Sequence, residues 1–312
     1  MKLFITIILF MELNTVNCGD ALSVVSTFPD KSVNCIITSP PYYKLRDYGF
    51  KKQWGLEEHY KDYLDKMIAL AKELKRVLKD DGTIWINMGD SYNGSGGNGW
   101  QGLGSKNWKQ ETKPHKDKTY PVKCLMLIPH RFAIRCIDEV GLILRNDIIW
   151  AKRNGMPESA RDRFNKKHEY VFFFAKNKKY YFNLDAIRDV NKYDGRKDIF
   201  FKGSKKYKDS GQTFCAKGHR RWNPNGKNPG DVSDFWNIPT RSSSVKHYAT
   251  FNSNLIDKPI IAGCPEGGVI LDPFCGSGTT LVRAKQLKRN YIGIDGKKGY
   301  CRIAEKRLRT EV

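Results

Sequence analysis

Short apolar runs recur along this chain and alternate with stretches whose apolar residues return every three to four positions. The runs are Val33–Thr38, Thr83–Met88, Leu142–Trp150, Tyr170–Ala175, Val269–Leu271 and Tyr291–Ile294. Tyr60–Leu78 shows the second pattern, with Tyr63, Leu64, Met67, Ile68, Leu70, Ala71, Leu74 and Leu78 apolar at a helical period. Val122–Val140 and Thr279–Leu287 read the same way. Strands alternating with helices predict a mainly parallel sheet with helices on both faces. Such a sheet binds ligands at the carboxyl ends of its strands, so the residues just after each run are where chemistry is expected.

Two segments break the rhythm. Ser91–Tyr120 contains Asn93-Gly-Ser-Gly-Gly-Asn-Gly-Trp and has no period. A loop this long inside a compact domain is usually functional or disordered. Asn191–Gly230 holds eleven Lys and Arg against three Asp, a net +8 in forty residues, where an even spread of the chain's +22 gives about +3. Tyr193, Phe200, Phe201, Tyr207, Phe214 and Trp222 are interleaved. Cations mixed with aromatics suit a nucleic-acid backbone and unstacked bases. A merely solvated basic loop has no use for exposed rings. The excess of 55 Lys and Arg over 33 Asp and Glu also points to a polyanion, nucleic acid before an anionic membrane surface. The 40% hydrophobic share excludes wholesale disorder.

No two of the eight cysteines are spaced Cys-x-x-Cys, and Cys215 with His219 makes only half a metal site, so no metal centre is expected. Scattered single cysteines fit a reducing cytoplasm. Leu3–Phe10 is apolar behind Lys2 but too short to span a bilayer, and the residues after it lack the small-residue cleavage pattern. Residues 1–10 are therefore read as an upstream extension or an added edge strand, and no membrane partner is expected.

Two strand ends carry the chemistry. Val269-Ile-Leu-Asp-Pro-Phe-Cys-Gly-Ser-Gly-Thr-Thr reads as a strand, a Gly-rich turn and a helix start. Gly276 and Gly278 let backbone approach a ligand, and the helix N-terminus follows. The turn lacks the Gly-Lys-Ser/Thr ending of a phosphate loop, which argues against a nucleotide triphosphate. About twenty residues on, the next run ends in Asp295, where a doubly wound fold places an acid to accept from ribose hydroxyls. The plainer reading of Asp295 is a helix cap. The other strand end is Cys35-Ile-Ile-Thr-Ser-Pro-Pro-Tyr-Tyr. Pro40 and Pro41 make a rigid turn with no N–H of its own, flanked by the Ser39 hydroxyl and the Tyr42 ring, which can stack on a base.

Thr38-Ser-Pro-Pro-Tyr together with Asp272-Pro-Phe-Cys-Gly-Ser-Gly-Thr resembles the S-adenosylmethionine-dependent DNA amino-methyltransferases. The tetrapeptide comes first and the cofactor loop last, as in the permuted beta group. The resemblance covers most of the chain. It implies a Rossmann-like, doubly wound mixed α/β sheet, circularly permuted. Residues 11–190 and 240–312 would form the catalytic and cofactor-binding domain, with a target recognition region inserted at 191–239. It implies cofactor contacts from Asp20, in Asn17-Cys-Gly-Asp-Ala-Leu, from Thr38, and from Asp272, Pro273, Phe274, Cys275, Gly276, Ser277, Gly278, Thr279 and Asp295. His247 and Phe251, in His247-Tyr-Ala-Thr-Phe, resemble the segment that helps hold the methionine end. Arg145–Lys152 and His168–Lys176 look like the strands around the target pocket. Lys205, Lys206, Lys208, Arg220 and Arg221 fall in the recognition region as DNA contacts.

The implied catalytic set is Ser39, Pro40, Pro41 and Tyr42. Tyr42 would stack on a base flipped out of duplex DNA, while Ser39 and the Pro40 carbonyl orient the exocyclic amine. Ser before Pro-Pro-Tyr goes mostly with cytosine in that family, so N4 of cytosine is expected, with adenine N6 second. A restriction-modification role is expected, with a cognate endonuclease acting separately. No covalent intermediate is needed, so Cys35 and Cys275 are read as packing residues. Two alternatives are weaker. One is a protein or RNA amine methyltransferase with a similar Pro-Pro-Tyr turn, whose protein-glutamine type usually carries Asn before the prolines and the cofactor loop upstream of them; the other is a catalytically silent DNA-binding module, which would not need both strand ends intact.

Overall fold

The computed structural model describes residues 11–94, 116–155, 158, 160–188, 233–240 and 253–312. Residues 1–10, the basic segment 191–230, and with it Lys205, Lys206, Lys208, Arg220 and Arg221, lie outside the described residues, as do His247 and Phe251.

The strands are β1 (Thr15–Cys18), β2 (Val33–Thr38), β3 (Leu78–Met88), β4 (Ile143–Ala151), β5 (His168–Ala175), β6 (Phe235–Asn237), β7 (Val269–Asp272) and β8 (Asn290–Asp295). They form one sheet in the order β1-β8-β7-β2-β3-β5-β4-β6. The first five in that order run parallel. β5 is antiparallel to both β3 and β4, and β6 returns parallel to β4. The sheet is therefore mixed, with an antiparallel excursion at one side. Chain order reverses sense between β7 and β2, which places the two chemically marked strand ends side by side.

The helices are α1 (Ala21–Val25), α2 (Tyr60–Val77), α3 (Ile128–Arg135), α4 (Ser253–Gly263), α5 (Thr279–Gln286) and α6 (Lys298–Thr310). Side-chain alternation divides the core into two layers. Ile36 of β2, Ile84 and Ile86 of β3, and Phe172 and Phe174 of β5 pack with the buried stripe of α2. Cys35 and Ile37, Trp85, and Val171 and Phe173 point the other way, toward α4 and α5. The Trp85 and Phe173 rings stack at 3.9 Å across β3 and β5. A strand with both faces buried has no polar side to show, which is why these strands read as continuous apolar runs. Arg76 ties the end of α2 to that of α1 by donating to the Val25 and Phe28 carbonyls at 3.1 and 2.8 Å.

One expected element is shorter than its pattern. Val122–Val140 was expected to be helical throughout, but α3 begins only at Ile128. Leu127 takes a left-handed conformation (φ 52°), and Pro129 occupies the first turn, where its missing N–H goes unneeded. The last turn widens into a π-helical turn at Cys136–Val140 before Gly141 ends it. The apolar residues ahead of Ile128 serve other structure: Met126 is buried in the core and Leu125 bridges to Tyr92.

Two compact units emerge, Met1–Asn183 with Asp234–Val312, and Leu184–Ser233. Among the described residues of the second, a 3-10 turn spans Asp185–Ile187. β6, with Trp236 buried, belongs to the sheet of the first unit, so the 191–239 segment of the sequence reading ends inside the sheet.

Candidate active site

The Gly-rich turn follows β7 as the pattern predicts. Gly278 caps α5 with φ 79°, and a Cβ there would lie 2.7 Å from the Cβ of Ala304 in α6. Both the left-handed backbone and the helix contact require glycine. Asp295, at the end of β8, accepts from the backbone N–H of Gly276 at 3.0 Å and of Lys297 at 2.8 Å. It therefore holds the turn and the approach to α6 while lining the cleft. Burial raises its pKa above the usual carboxylate range. Each oxygen keeps acceptor capacity beyond its one backbone donor.

Asp20 caps α1 through Ser23 N–H and hydroxyl, both at 3.0 Å, and accepts from the Trp54 indole at 2.8 Å. Partial burial raises its pKa, but the Trp54 and Ser23 hydrogen bonds outweigh this and hold it below the usual value. Trp54 in turn meets Phe274 edge to face at 5.3 Å. The two carboxylates and the two rings form one end of a cleft of about 680 Å³.

The other end is the tetrapeptide after β2. The Tyr63 hydroxyl of α2 donates to the Pro41 carbonyl at 2.9 Å and pins the turn. The Tyr42 ring lies against Gly89, just past β3, where a Cβ would come within 2.6 Å of it. Only glycine permits that approach. The Tyr42 hydroxyl donates to Glu169 Oε2 at 2.7 Å and accepts from Asn87 Nδ2 at 2.6 Å. Asn87 Nδ2 also reaches Glu169 Oε2 at 3.0 Å. The Ser39 hydroxyl sits 3.4 Å from the Tyr42 oxygen. Glu169 is ion-paired with Lys152, whose ammonium lies 4.6 Å from the centre of the Trp150 ring. Burial would raise the Glu169 pKa; Lys152 and the Asn87 and Tyr42 hydrogen bonds overcome it and hold the carboxyl below its ordinary value.

The cleft brings together Asp20, Ser39, Pro40, Pro41, Tyr42, Pro273, Phe274, Cys275, Gly276, Ser277, Thr279 and Asp295 of the expected residues. Thr38 and Asp272 stand behind its wall instead. Thr38 donates to Asp272 at 2.7 Å, and both are at most 2% exposed, so they tie the ends of β2 and β7 together. Gly278 likewise shapes the turn from behind. Cys35 and Cys275 are buried, and Cys275 also borders the cleft. The sequence reading did not single out Trp54, Asn87, Lys152 or Glu169, all of which line the cleft. Asn87 and Glu169 had a signal: each is a polar residue beside the buried apolar run of its strand, at the cleft end. Trp54 lies on a loop whose approach to Asp20 no local pattern encodes. Among the described residues there is no cluster fit for a metal ion and no helix long and apolar enough to cross a membrane.

The chain is similar to known proteins in sequence and in fold. The chain is 39% identical over 305 residues to the Type II methyltransferase M.Cfr9I of Citrobacter freundii, covering 96% of this chain and 90% of that protein. It is 35% identical to the Type II methyltransferase M.SmaI of Serratia marcescens, over 96% and 93%. In fold it matches the cytosine-N4-specific PvuII DNA methyltransferase with a TM-score of 0.64 at 20% identity, over 96% and 87% of the two chains. It also matches a putative DNA modification methylase of Thermus thermophilus, solved with S-adenosyl-L-methionine, with a TM-score of 0.59 at 22% identity, over 96% and 94%. The family model described as DNA methylase spans residues 33–306, taking in both strand ends, while Asp20 of the cleft lies ahead of it. By the family model and its sequence relatives, the chain belongs to the N6/N4 DNA methylase family.

Proposed function

We propose that this protein transfers a methyl group from S-adenosylmethionine to the exocyclic N4 of cytosine in duplex DNA. The observation that carries the reading is one cleft with Asp20, Asp295 and the Phe274–Ser277 turn at one end and Ser39–Tyr42 at the other. The first end fits the cofactor by its chemistry. Asp295 offers carboxylate oxygens to a ribose diol, Phe274 and Trp54 offer an apolar wall to an adenine, and the turn carries no phosphate-loop lysine. When bound there, S-adenosylmethionine supplies a methyl already activated by its sulfonium.

The remaining work belongs to the chain and is mostly alignment. An exocyclic amine is a poor nucleophile because its lone pair is delocalised into the ring, and it is shielded inside the duplex until the base is extruded. Tyr42, held against Gly89, offers its ring to the extruded base. Ser39 and the Pro40 carbonyl face the amine hydrogens and favour the pyramidal nitrogen of the transition state over the flat one of the ground state. No covalent intermediate is required. Lys205, Lys206, Lys208, Arg220 and Arg221 would grip the DNA, and segment 191–239 would read the target. A restriction-modification role, with a separately acting endonuclease, follows the pattern of the Type II relatives.

Cytosine is favoured over adenine because Ser stands before Pro-Pro-Tyr. The Ser39 hydroxyl accepts from an amine without setting the charge of an ionised aspartate against the lone pair of the ring nitrogen beside it. The test is direct: treat duplex DNA with protein and cofactor, digest to nucleosides and analyse by mass spectrometry. N4-methylcytosine is the expected product. N6-methyladenine alone would overturn the choice of base, and neither product would overturn the reading as a whole.

A further inference from the structure

The hydrogen bonds behind the tetrapeptide all run one way. The single Tyr42 proton goes to Glu169 Oε2 at 2.7 Å, so toward Ser39 and Asn87 the Tyr42 oxygen can only accept. Asn87 Nδ2 lies between the Tyr42 oxygen and the same carboxylate, donating to both, and so orders the pair. The 3.4 Å Ser39–Tyr42 contact therefore has Ser39 as donor, which leaves the lone pairs of Ser39 for a group in the cleft. Glu169 closes the chain with a side chain 13% exposed, paired to Lys152, which is 21% exposed.

We propose that Glu169 is a positioning residue that completes a proton exit from the target amine: Ser39 to Tyr42 to Glu169. This rests on the amine-methylation reading above and extends it to a residue that reading does not use. As the amine nitrogen bonds to the methyl, the carbon–sulfur bond breaks with both its electrons on sulfur, and the nitrogen is left cationic with one proton too many. That proton passes to Ser39 Oγ, the Ser39 proton to Tyr42 Oη, and the Tyr42 proton to Glu169 Oε2. The products are a neutral methylated amine, a neutral thioether and a protonated Glu169. Ser39 and Tyr42 end as they began. An N-alkylated exocyclic ammonium is a far stronger acid than a carboxylic acid, so a carboxylate held ionised is base enough. Lys152 then favours return of Glu169 to its ionised form, with release of the proton to solvent.

Glu169→Gln keeps the size of the side chain and an acceptor for Tyr42 but removes the charge. Tyr42→Phe keeps the ring but cuts the chain. Each should slow single-turnover methyl transfer by about 100-fold or more, while the Kd values for S-adenosylmethionine and for DNA, by calorimetry, stay within about threefold of the parent. The double variant should be no more than about threefold slower than the worse single one, since both break one path. Glu169→Asp should recover part of the rate. Infrared difference spectra of parent against Glu169→Gln, in the free protein, should show loss of an ionised carboxylate band. Tyr42→Phe at the parent rate, multiplicative losses in the double variant, or a protonated Glu169 in the free protein would each overturn the proposal. If Glu169→Gln fails to fold with Lys152 left unpaired, Tyr42→Phe still decides. A parent that methylates neither base overturns the underlying reading, whereas a parent that methylates with both variants equally active overturns the relay alone.

Discussion

At the scale of single residues, the two ends of the cleft should fail in different ways. On the proposed reading Ser39 meets the amine and not the far end, so Ser39→Ala should lower turnover by about 100-fold or more with little change in cofactor affinity. Asp295 offers its carboxylate to the cofactor end, and a charge-assisted pair of hydrogen bonds is worth roughly 1.5–3 kcal/mol. Asp295→Ala should therefore weaken S-adenosylmethionine binding about ten- to a hundred-fold while leaving DNA binding near the parent. Calorimetry with each ligand and both variants checks the pair; equal loss of both affinities in Asp295→Ala would mean that its ties to Gly276 and Lys297 matter for folding instead. Residues that act at strand ends were legible in the sequence because a run of apolar residues announces where it stops. Ser39, Tyr42, Gly276 and Asp295 all stand just beyond such a run. Glu169 and Lys152 were not singled out, because their partnership joins β4 to β5 across the sheet and is visible only once the two strands are paired.

At the scale of elements, the parallel joint between β2 and β7 carries a titrating group. Asp272 is 1% exposed, and burial pushes its pKa up to about 6 against the opposing Thr38 and Phe274 hydrogen bonds. An unfolded aspartate titrates near 3.9, roughly two units lower. Between those values the folded chain holds a proton that the unfolded chain has released, so this group makes stability fall as pH rises from about 4 to about 6. The full effect is on the order of 3 kcal/mol. Burial shifts Asp90 and Asp295 in the same direction, while the depressed Asp20 and Glu169 act in the opposite sense. Asp272→Asn retains an acceptor for Thr38 without the charge, so it should gain on the parent as pH rises. Urea unfolding at pH 4.5 and pH 7 checks this, and parallel curves for parent and variant would refute it. Element type followed the hydrophobic period closely where both faces or a whole stripe are buried, as in β2, α2 and β5. It misled where apolar residues serve irregular structure, as in the stretch before Ile128, and it was silent on β6, whose three residues bury one side chain.

At the scale of the whole molecule, the charge has to be explained by what it meets. A net +22 spread evenly would only keep the chain soluble, yet segment 191–230 carries +8 of it, interleaved with six aromatic side chains. Duplex DNA binds such a segment largely by releasing counterions, and log K falls against log salt with a slope of about −0.9 per phosphate contacted. Replacing Lys205, Lys206 and Lys208 together by Gln should therefore flatten that slope by up to about 2.7 if each meets a phosphate. The same triple variant should leave S-adenosylmethionine affinity unchanged, because no cofactor contact is assigned to that segment. Fluorescence anisotropy with a labelled duplex across a salt series measures the slope. A weaker but parallel line would mean that these lysines act on the fold or on the bases and not on the backbone. An unchanged line would place the phosphates on other cations, with Lys51, Lys52 and Lys298 around the cleft the next to replace. Mutation of the segment should also lower affinity for unrelated sequences about as much as for the target, since phosphate contacts position the duplex without reading it. Loss confined to one sequence would instead assign these residues to base readout.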